Sequence, residues 1–174
     1  MDGPSDAAPM LVVLSGPPCS GKTTLATELA RHRGWEHLSM DATRQRILPG
    51  THTEADRHAA YRAMHFAAEL LVRAGRSVIL DAPYRHGDDR DDLARAVAAS
   101  GARLKWIECH IAPEIAGERQ RVRGFDAERA DLDPGVVAKR ARQHPYTGQG
   151  LRLETGEIST EECRRRIEEY LGTA

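Results

Sequence analysis

The sequence predicts an α/β fold in which one parallel β-sheet is covered by helices on both faces. The continuous apolar run Met10–Ser15 ends at Gly16 and is typical of a buried parallel strand. Apolar residues recur at helical spacing through Glu54–Ala74, up to Gly75, as in a helix that packs on a sheet. Strand and helix patterns alternate along the chain, which favours a parallel sheet with crossover helices. The length of 174 residues fits one domain, which we place at residues 10–174.

The other elements are predicted from the same two patterns. The expected strands are Met10–Ser15, Trp35–Ser39, Ser77–Leu80 and Arg103–Ile111, with a further short strand within His144–Gly156. The expected helices are Lys22–Arg33, Glu54–Ala74, Asp88–Ser100, Pro113–Arg123, Gly135–Arg142 and Thr160–Leu171. Gly124–Pro134 is polar and charged, so it is predicted to be a loop.

Composition and charge argue against several classes of protein. Lys and Arg number 25, and Asp and Glu number 26, so the chain has no overall bias toward nucleic acid or anionic membranes. No apolar run is long enough to span a bilayer. Met1–Pro9 lacks the apolar stretch of a signal peptide and is predicted to be a disordered leader. The cysteines, Cys19, Cys109 and Cys163, form no CxxC pair, which favours a cytoplasmic protein without a disulfide framework or zinc site.

The strongest motif is GPPCSGKTT at residues 16–24. It satisfies the phosphate-binding pattern G-x-x-x-x-G-K-[ST] between a strand and a helix. Its glycines allow backbone angles that a Cβ atom forbids, so the loop can turn its N–H groups toward a triphosphate. Lys22 is expected to reach the β- and γ-phosphates, and the Thr23 hydroxyl is expected to bind Mg²⁺. The predicted nucleotide contacts are Gly16, Pro17, Pro18, Cys19, Ser20, Gly21, Lys22, Thr23 and Thr24.

A second candidate group follows the second predicted strand, where Asp41 is succeeded three residues later by Arg44. Ligands of parallel sheets bind at the carboxyl ends of the strands, so this pair is expected near the phosphate loop. The carboxylate can accept the proton of an attacking hydroxyl, and the arginine can hold a polar or anionic part of the acceptor. The alternative is that Asp41 only caps the next helix.

Asp81 ends the third predicted strand. An apolar strand that ends in aspartate beside a P-loop strand resembles the second acidic motif of P-loop nucleotide hydrolases, where the carboxylate holds Mg²⁺ or its water shell. The alternative is an ordinary capping residue before the turn Ala82–Tyr84. The sequence leaves open whether Asp41 or Asp81 lies nearer the metal.

Arginines cluster at the end of the predicted helix Pro113–Arg123. Arg119 and Arg123 are four residues apart and would share a helix face. Phosphoryl transfer spreads negative charge over the γ-phosphate oxygens, and arginines on a closing segment can neutralise it. We therefore predict a lid at residues 119–135 in which Arg119 and Arg123 are catalytic. The alternative is a solvated basic helix end, which is the expectation for Arg121.

The chain resembles the small P-loop kinases related to polynucleotide 5′-kinases, zeta toxins and chloramphenicol phosphotransferase-like enzymes, often described as the AAA-domain kinase-like group. The matching pieces are GPPCSGKTT at 16–24, LSMDATRQRIL at 38–48, AGRSVILDAPYRHGDDR at 74–90 and PEIAGERQRVR at 113–123. The resemblance implies a three-layer P-loop fold with a five-stranded parallel core and a small lid that carries arginines. It also implies ATP as phosphoryl donor, bound with Mg²⁺, and Asp41 as general base.

The resemblance also suggests which residues surround the acceptor. They are Asp41, Arg44, Asp81, Tyr84 and Arg90, of which Arg44 and Arg90 serve either substrate or structure. The chain departs from the group where Pro83-Tyr84-Arg85-His86 replaces the small or hydroxyl residues common after the strand-end aspartate.

The function predicted from these motifs is transfer of the γ-phosphoryl group of ATP to a hydroxyl of a small molecule such as a nucleoside, sugar or antibiotic. The first alternative is a polynucleotide 5′-hydroxyl kinase or nucleic-acid repair domain, against which the balanced net charge argues. The second is a regulatory nucleotide hydrolase without an acceptor. The absence of an N-K-x-D motif and the lid-like arginines argue against it. The sequence leaves the acceptor and the oligomeric state open.

Overall fold

A computed structural model describes residues 8–50, 53–98, 100–124 and 132–172. The strands are β1 (Met10–Ser15), β2 (Glu36–Ser39), β3 (Val78–Asp81), β4 (Arg103–His110) and β5 (Leu151–Glu154). The helices are α1 (Lys22–Arg33), α2 (Met40–Ile47), α3 (Glu54–Arg73), α4 (Gly87–Ala98), α5 (Pro113–Arg123), α6 (Pro134–Arg142) and α7 (Thr160–Leu171). The five strands form one parallel sheet in the order β2-β3-β1-β4-β5. The predicted five-stranded parallel core is therefore confirmed.

The strand order places β1 at the centre of the sheet, between β3 and β4. Leu14 of β1 pairs with Asp81 of β3, and Asp81 pairs with Ser39 of β2. On the other side of β1, Ser15 pairs with Glu108 of β4. The carboxyl ends of these neighbouring strands therefore meet at one edge of the sheet, where parallel sheets bind their ligands.

Each face of the sheet carries its own hydrophobic core because successive side chains of a strand point to opposite faces. Val12 and Leu14 pack with residues of α1 and α7 on one face. Leu11 and Val13 pack with residues of α3 and α4 on the other face. Every residue of β1 is buried, which explains why its sequence is a continuous apolar run.

Helix α2 begins immediately after β2 and is capped by Ser39. The Ser39 hydroxyl accepts a hydrogen bond from the Ala42 N–H at 3.5 Å, which satisfies one of the free N–H groups at the helix start. Asp41 lies in the first turn of α2. The cap of this helix is thus Ser39 and not Asp41.

Other boundaries differ from the prediction by one or two residues. β2 begins at Glu36 rather than Trp35, and α4 spans Gly87–Ala98 rather than Asp88–Ser100. The expected short strand after residue 144 is β5. Residues 1–7 of the predicted leader and 125–131 of the predicted lid lie outside the described residues. Within the described ranges, no helix combines the length and the apolar character that crossing a membrane requires.

A buried carboxylate on β4 fixes the segment that connects α6 to β5. Glu108 is 3% exposed, and it accepts hydrogen bonds from the Thr147 N–H and hydroxyl, each at 2.7 Å, and from the Gly148 N–H at 3.1 Å. His110 lies 3.4 Å from the same carboxylate. Burial by itself raises the pKa of Glu108, but these hydrogen bonds to the charged form outweigh burial, so the pKa is lowered.

Replacing Glu108 with glutamine is expected to lower the free energy of unfolding by about 2 kcal/mol near neutral pH, because hydrogen bonds to a charged group are lost. The folded-state pKa of Glu108 lies below its ordinary value of 4.5. The carboxylate therefore stabilises the fold above that value, and its contribution disappears as the pH falls through the folded-state pKa. Urea unfolding of both proteins at neutral and acidic pH measures the difference, which should shrink in acid.

The exposed Glu157 provides the matched control, since Glu157→Gln should change the stability little at either pH. A destabilisation by Glu108→Gln that is equal at neutral and acidic pH would contradict an ionised, hydrogen-bonded Glu108.

Candidate active site

The phosphate loop joins β1 to α1, and its first residue makes a close backbone approach. Gly16 has a φ of +152°, and a Cβ atom there would lie 2.7 Å from the Cys109 carbonyl oxygen. Gly21, at the start of α1, has a φ of +83°. Both positions therefore require glycine. The loop ends at the N-terminus of α1, where free N–H groups attract anions such as phosphate.

Lys22 and Thr23 occupy the first turn of α1. Lys22 is 8% exposed, and its Nζ donates a hydrogen bond to the Pro17 carbonyl oxygen at 3.4 Å. The ammonium group is therefore folded against the phosphate loop. Thr23 is exposed and lines the cleft above the loop. This turn can supply a cation and a hydroxyl oxygen to a bound triphosphate.

Asp81 lies at the end of β3 and is 2% exposed. Its Oδ2 lies 3.8 Å from His37 Nε2, and its Oδ1 has no hydrogen-bond partner among the described residues. Burial raises the pKa of Asp81, but the His37 imidazole, the charge of Lys22 and the Thr23 hydroxyl outweigh burial, so the pKa is lowered. Asp81 is therefore a carboxylate at neutral pH.

The environment of Asp81 fits a divalent cation. The Thr23 hydroxyl and the Asp81 carboxylate are the hard oxygen donors that Mg²⁺ prefers, and the two groups are close enough for Thr23 to lower the pKa of Asp81. A buried carboxylate oxygen without a partner is costly, and Mg²⁺ or its water shell would satisfy it.

Asp41 and Arg44 lie in α2, which lines the same cleft as the phosphate loop. The Asp41 side chain is 40% exposed, and its Oδ1 lies 4.0 Å from Arg44 Nη2. Arg44 as a whole is 8% exposed. Both residues line the cleft, so a carboxylate and a guanidinium face the same space as Lys22 and Thr23.

Arg119 links the phosphate loop to the segment after β5. Its Nη1 donates a hydrogen bond to the Cys19 carbonyl oxygen at 3.1 Å, and its Nη2 donates to the Thr155 carbonyl oxygen. Arg123 is exposed at the end of α5 and also lines the cleft. Both arginines therefore lie on the cleft side of α5, as their spacing predicts.

The cleft has a volume of about 1070 Å³, enough for a nucleotide and a small acceptor. Its described lining includes Lys22, Asp41, Arg44, Arg119 and Arg123. The motifs in the sequence did not indicate the lining residues that follow β5, which are Thr155, Ile158, Ser159, Thr160 and Cys163.

The AAA domain family matches residues 11–145 of the chain. This span contains the phosphate loop, Asp41, Asp81 and α5, and it exceeds half of the chain. The chain belongs to the AAA domain family. The resemblance carried by the sequence motifs is thus confirmed, and the family match ends before β5. No curated protein matches this chain in sequence.

Solved structures that share the fold of this AAA domain include three kinases. A putative kinase from Chloroflexus aurantiacus has a TM-score of 0.74 and 21% identity, covering 96% of this chain and 98% of that chain. APS kinase of Mycobacterium tuberculosis, solved with AMPPNP and APS, has a TM-score of 0.72 and 20% identity, covering 94% and 98%. A gluconokinase from Sinorhizobium meliloti has a TM-score of 0.67 and 16% identity, covering 94% and 96%.

Two residues that the sequence placed at the acceptor site, Tyr84 and Arg90, are not among the described residues that line the cleft. Tyr84 is 2% exposed and packs in the core against Tyr61 and Trp106, so it does not line the cleft, contrary to the prediction. Its backbone has a φ of +48°, a left-handed conformation that is uncommon for tyrosine. Arg90 donates a hydrogen bond to the Tyr84 carbonyl oxygen at 2.6 Å, which fits the structural alternative for this residue.

Proposed function

We propose that the protein is an ATP-dependent phosphotransferase that moves the γ-phosphoryl group to a hydroxyl of a small molecule. The observation that carries this proposal is the cleft shared by the phosphate loop and α2, in which the carboxylate of Asp41 faces the same space as Lys22 and Thr23. A nucleotide-binding module alone requires no carboxylate opposite the phosphates. APS kinase and gluconokinase, which share the fold, are named for small-molecule acceptors.

In the proposed reaction, Asp41 is the general base. The acceptor oxygen attacks the γ-phosphorus, the bond from phosphorus to the β–γ bridging oxygen breaks, and ADP leaves. The hydroxyl proton passes to the Asp41 carboxylate. Lys22, Arg119 and Arg123 offset the negative charge that develops on the γ-phosphate oxygens.

Thr23 and Asp81 are the residues that would hold Mg²⁺, as their oxygen donors indicate. The bound cation would neutralise charge on the phosphates. Of the two aspartates, we assign Asp81 to the metal, because it is buried beside Thr23 and Lys22, and Asp41 to the acceptor.

The two alternative functions are less well supported. A polynucleotide 5′-hydroxyl kinase follows phosphates along a strand, but the chain carries 25 basic and 26 acidic residues and so lacks an overall positive charge. A regulatory hydrolase that takes an arginine from a partner does not need Arg119, which this chain itself supplies from α5 and which donates a hydrogen bond to the Cys19 carbonyl of the phosphate loop.

A transfer screen tests the proposal. Radiolabelled γ-phosphate transfer from ATP would be measured to nucleosides, aminoglycosides, phenicols, sugars, sugar acids and oligonucleotides with a free 5′-hydroxyl. We expect Mg²⁺-dependent transfer to a small alcohol, with activity that changes little between low and moderate salt. Transfer confined to oligonucleotides, and lost steeply with salt, would favour the nucleic-acid alternative. Release of phosphate that no acceptor stimulates would favour the hydrolase.

A further inference from the structure

The side chains of His37 and Asp81 lie on the same face of the sheet. His37 of β2 is aligned with Ile79 of β3, two residues before Asp81. Aligned residues of a parallel pair share a face, and every second residue of a strand returns to that face. Ile79 packs in the hydrophobic core that contains residues of α1. His37 and Asp81 are therefore diagonal neighbours on the side of the sheet that α1 covers.

The polar atoms of these two side chains are buried and only partly satisfied. His37 Nε2 lies 3.8 Å from Asp81 Oδ2, whereas a hydrogen bond between such atoms is at most about 3.2 Å long. Neither His37 Nε2 nor the second carboxylate oxygen, Asp81 Oδ1, has a hydrogen-bond partner among the described residues. Buried polar atoms without partners are rare, and an ion or a bound water is a common reason for them.

Two elements of the fold influence the Asp81 carboxylate. Burial raises the pKa of Asp81, and the His37 imidazole of β2 opposes burial most strongly. Lys22 and Thr23, in the first turn of α1, also lower the pKa of Asp81. The phosphate-loop side of the site thus contributes an ammonium group and a hydroxyl, and β2 contributes an imidazole.

A metal-binding carboxylate needs a second partner that fixes its orientation. Such partners donate hydrogen bonds to the carboxylate, and their loss weakens metal binding by about 10- to 100-fold. The Nε2 atom of His37 can carry a proton in both the neutral and the charged form of the ring. Contacts that are long in a free protein often shorten when the ligand binds. A small movement would therefore let His37 Nε2 donate to Asp81 Oδ2 and leave Oδ1 for Mg²⁺ or its water shell.

We propose that His37 is a positioning residue that orients the Asp81 carboxylate toward the metal–nucleotide complex. Its N–H holds Oδ2, and this fixes the rotation of the carboxylate so that Oδ1 is presented to the cation. His37 itself contacts neither the metal nor the nucleotide and acts only through Asp81. This inference rests on the proposed function, since it concerns the metal-binding carboxylate of the same site.

Calorimetric titration with AMPPNP, once with Mg²⁺ and once with EDTA, tests the proposal without an acceptor. The ratio of the two dissociation constants is the factor by which the metal strengthens nucleotide binding. We expect His37→Leu to reduce this factor by about tenfold and to leave the affinity for metal-free AMPPNP unchanged. The matched control is His32→Leu, at an exposed histidine of α1, and it should leave the factor unchanged. If His37→Leu does not fold, His37→Thr removes the same N–H with a residue that strands favour.

Two further variants separate positioning from a structural role of the imidazole. Glutamine carries its amide N–H group at a distance along the side chain similar to that of Nε2, so His37→Gln should recover most of the factor that His37→Leu loses. In the Asp81→Asn protein, adding His37→Leu should change the factor by less than about twofold, because His37 acts only through the carboxylate. A merely structural role of His37 would add its effect to that of Asp81→Asn and would not be restored by glutamine.

Failure of this inference is distinguishable from failure of the proposed function. If His37→Leu kept the full metal factor while Asp81→Asn lost it, His37 would have no positioning role and the phosphotransferase proposal would stand. A loss in His37→Gln as large as in His37→Leu, or additive losses in the double variant, would overturn the inference in the same way. If Asp81→Asn kept the metal factor, the assignment of Asp81 to the metal would be wrong, and the role of His37 with it. Absence of AMPPNP binding would instead overturn the phosphate loop assignment.

Discussion

Replacing Lys22 with alanine is expected to lower the rate of phosphoryl transfer by roughly a thousandfold, because the largest catalytic contribution in such reactions is charge placed in advance at the transferring group. Lys22 is nearly buried, with its ammonium folded against the phosphate loop. Its loss removes a cation that we expect to contact the γ-phosphate. Steady-state kinetics with the acceptor identified by the transfer screen would give the ratio of kcat/KM for the two proteins.

Lys139→Ala is the matched control for this substitution, since Lys139 is exposed on α6 and should leave kcat/KM unchanged. Circular dichroism and thermal unfolding would establish that both variants keep the fold. If Lys22→Ala retained the wild-type rate with any acceptor, the nucleotide site would lie elsewhere.

The phosphate loop was predictable from sequence because its requirements are local. Gly16 and Gly21 are needed for backbone angles and for a close approach to Cys109, and the apolar run of β1 is needed for burial on both faces of the sheet. Each requirement selects a residue type at a fixed spacing. The parallel order of strands follows from the alternation of strand and helix patterns for a similar reason.

The cleft residues that follow β5 were not predictable, because they come from a part of the chain distant from the motifs. Thr155 reaches the site through β5, the last strand, and accepts a hydrogen bond from Arg119. The sequence around Thr155 contains no pattern that would indicate this hydrogen bond. His37 is a similar case: its position 3.8 Å from Asp81 depends on how β2 pairs with β3, and a single histidine in a short strand carries no signal of it.

The Tyr84 side chain was predicted at the acceptor site but lies in the core. Its position after the strand-end aspartate suggested a side chain at the acceptor site, and an extended backbone would have alternated the side chains of residues 83–85 across the turn. The backbone at Tyr84 is instead left-handed, with a φ of +48°, and its ring lies in the core. Tyrosine is not a residue that commonly adopts this angle, so the sequence favoured the opposite orientation.

Replacing Asp41 with asparagine is expected to lower kcat by about a hundredfold or more, because the amide keeps the shape of the side chain but cannot accept the hydroxyl proton. The affinity for ATP should stay the same, since Asp41 lies in α2 and not in the phosphate loop. Single-turnover rates, together with calorimetric titration of the nucleotide, would separate the two quantities.

The Asp81→Asn variant tests which of the two aspartates binds the metal and which acts on the acceptor. Asp81 is buried beside Thr23 and Lys22, so its loss should raise the Mg²⁺ concentration needed for half-maximal activity and weaken binding of the metal–nucleotide complex. Asp91→Asn, at an exposed position of α4, should change neither quantity. If Asp41→Asn weakened nucleotide binding as much as it lowered kcat, while Asp81→Asn left the Mg²⁺ requirement unchanged, the two carboxylates would have exchanged roles. The general base would then have to be sought at the end of β3.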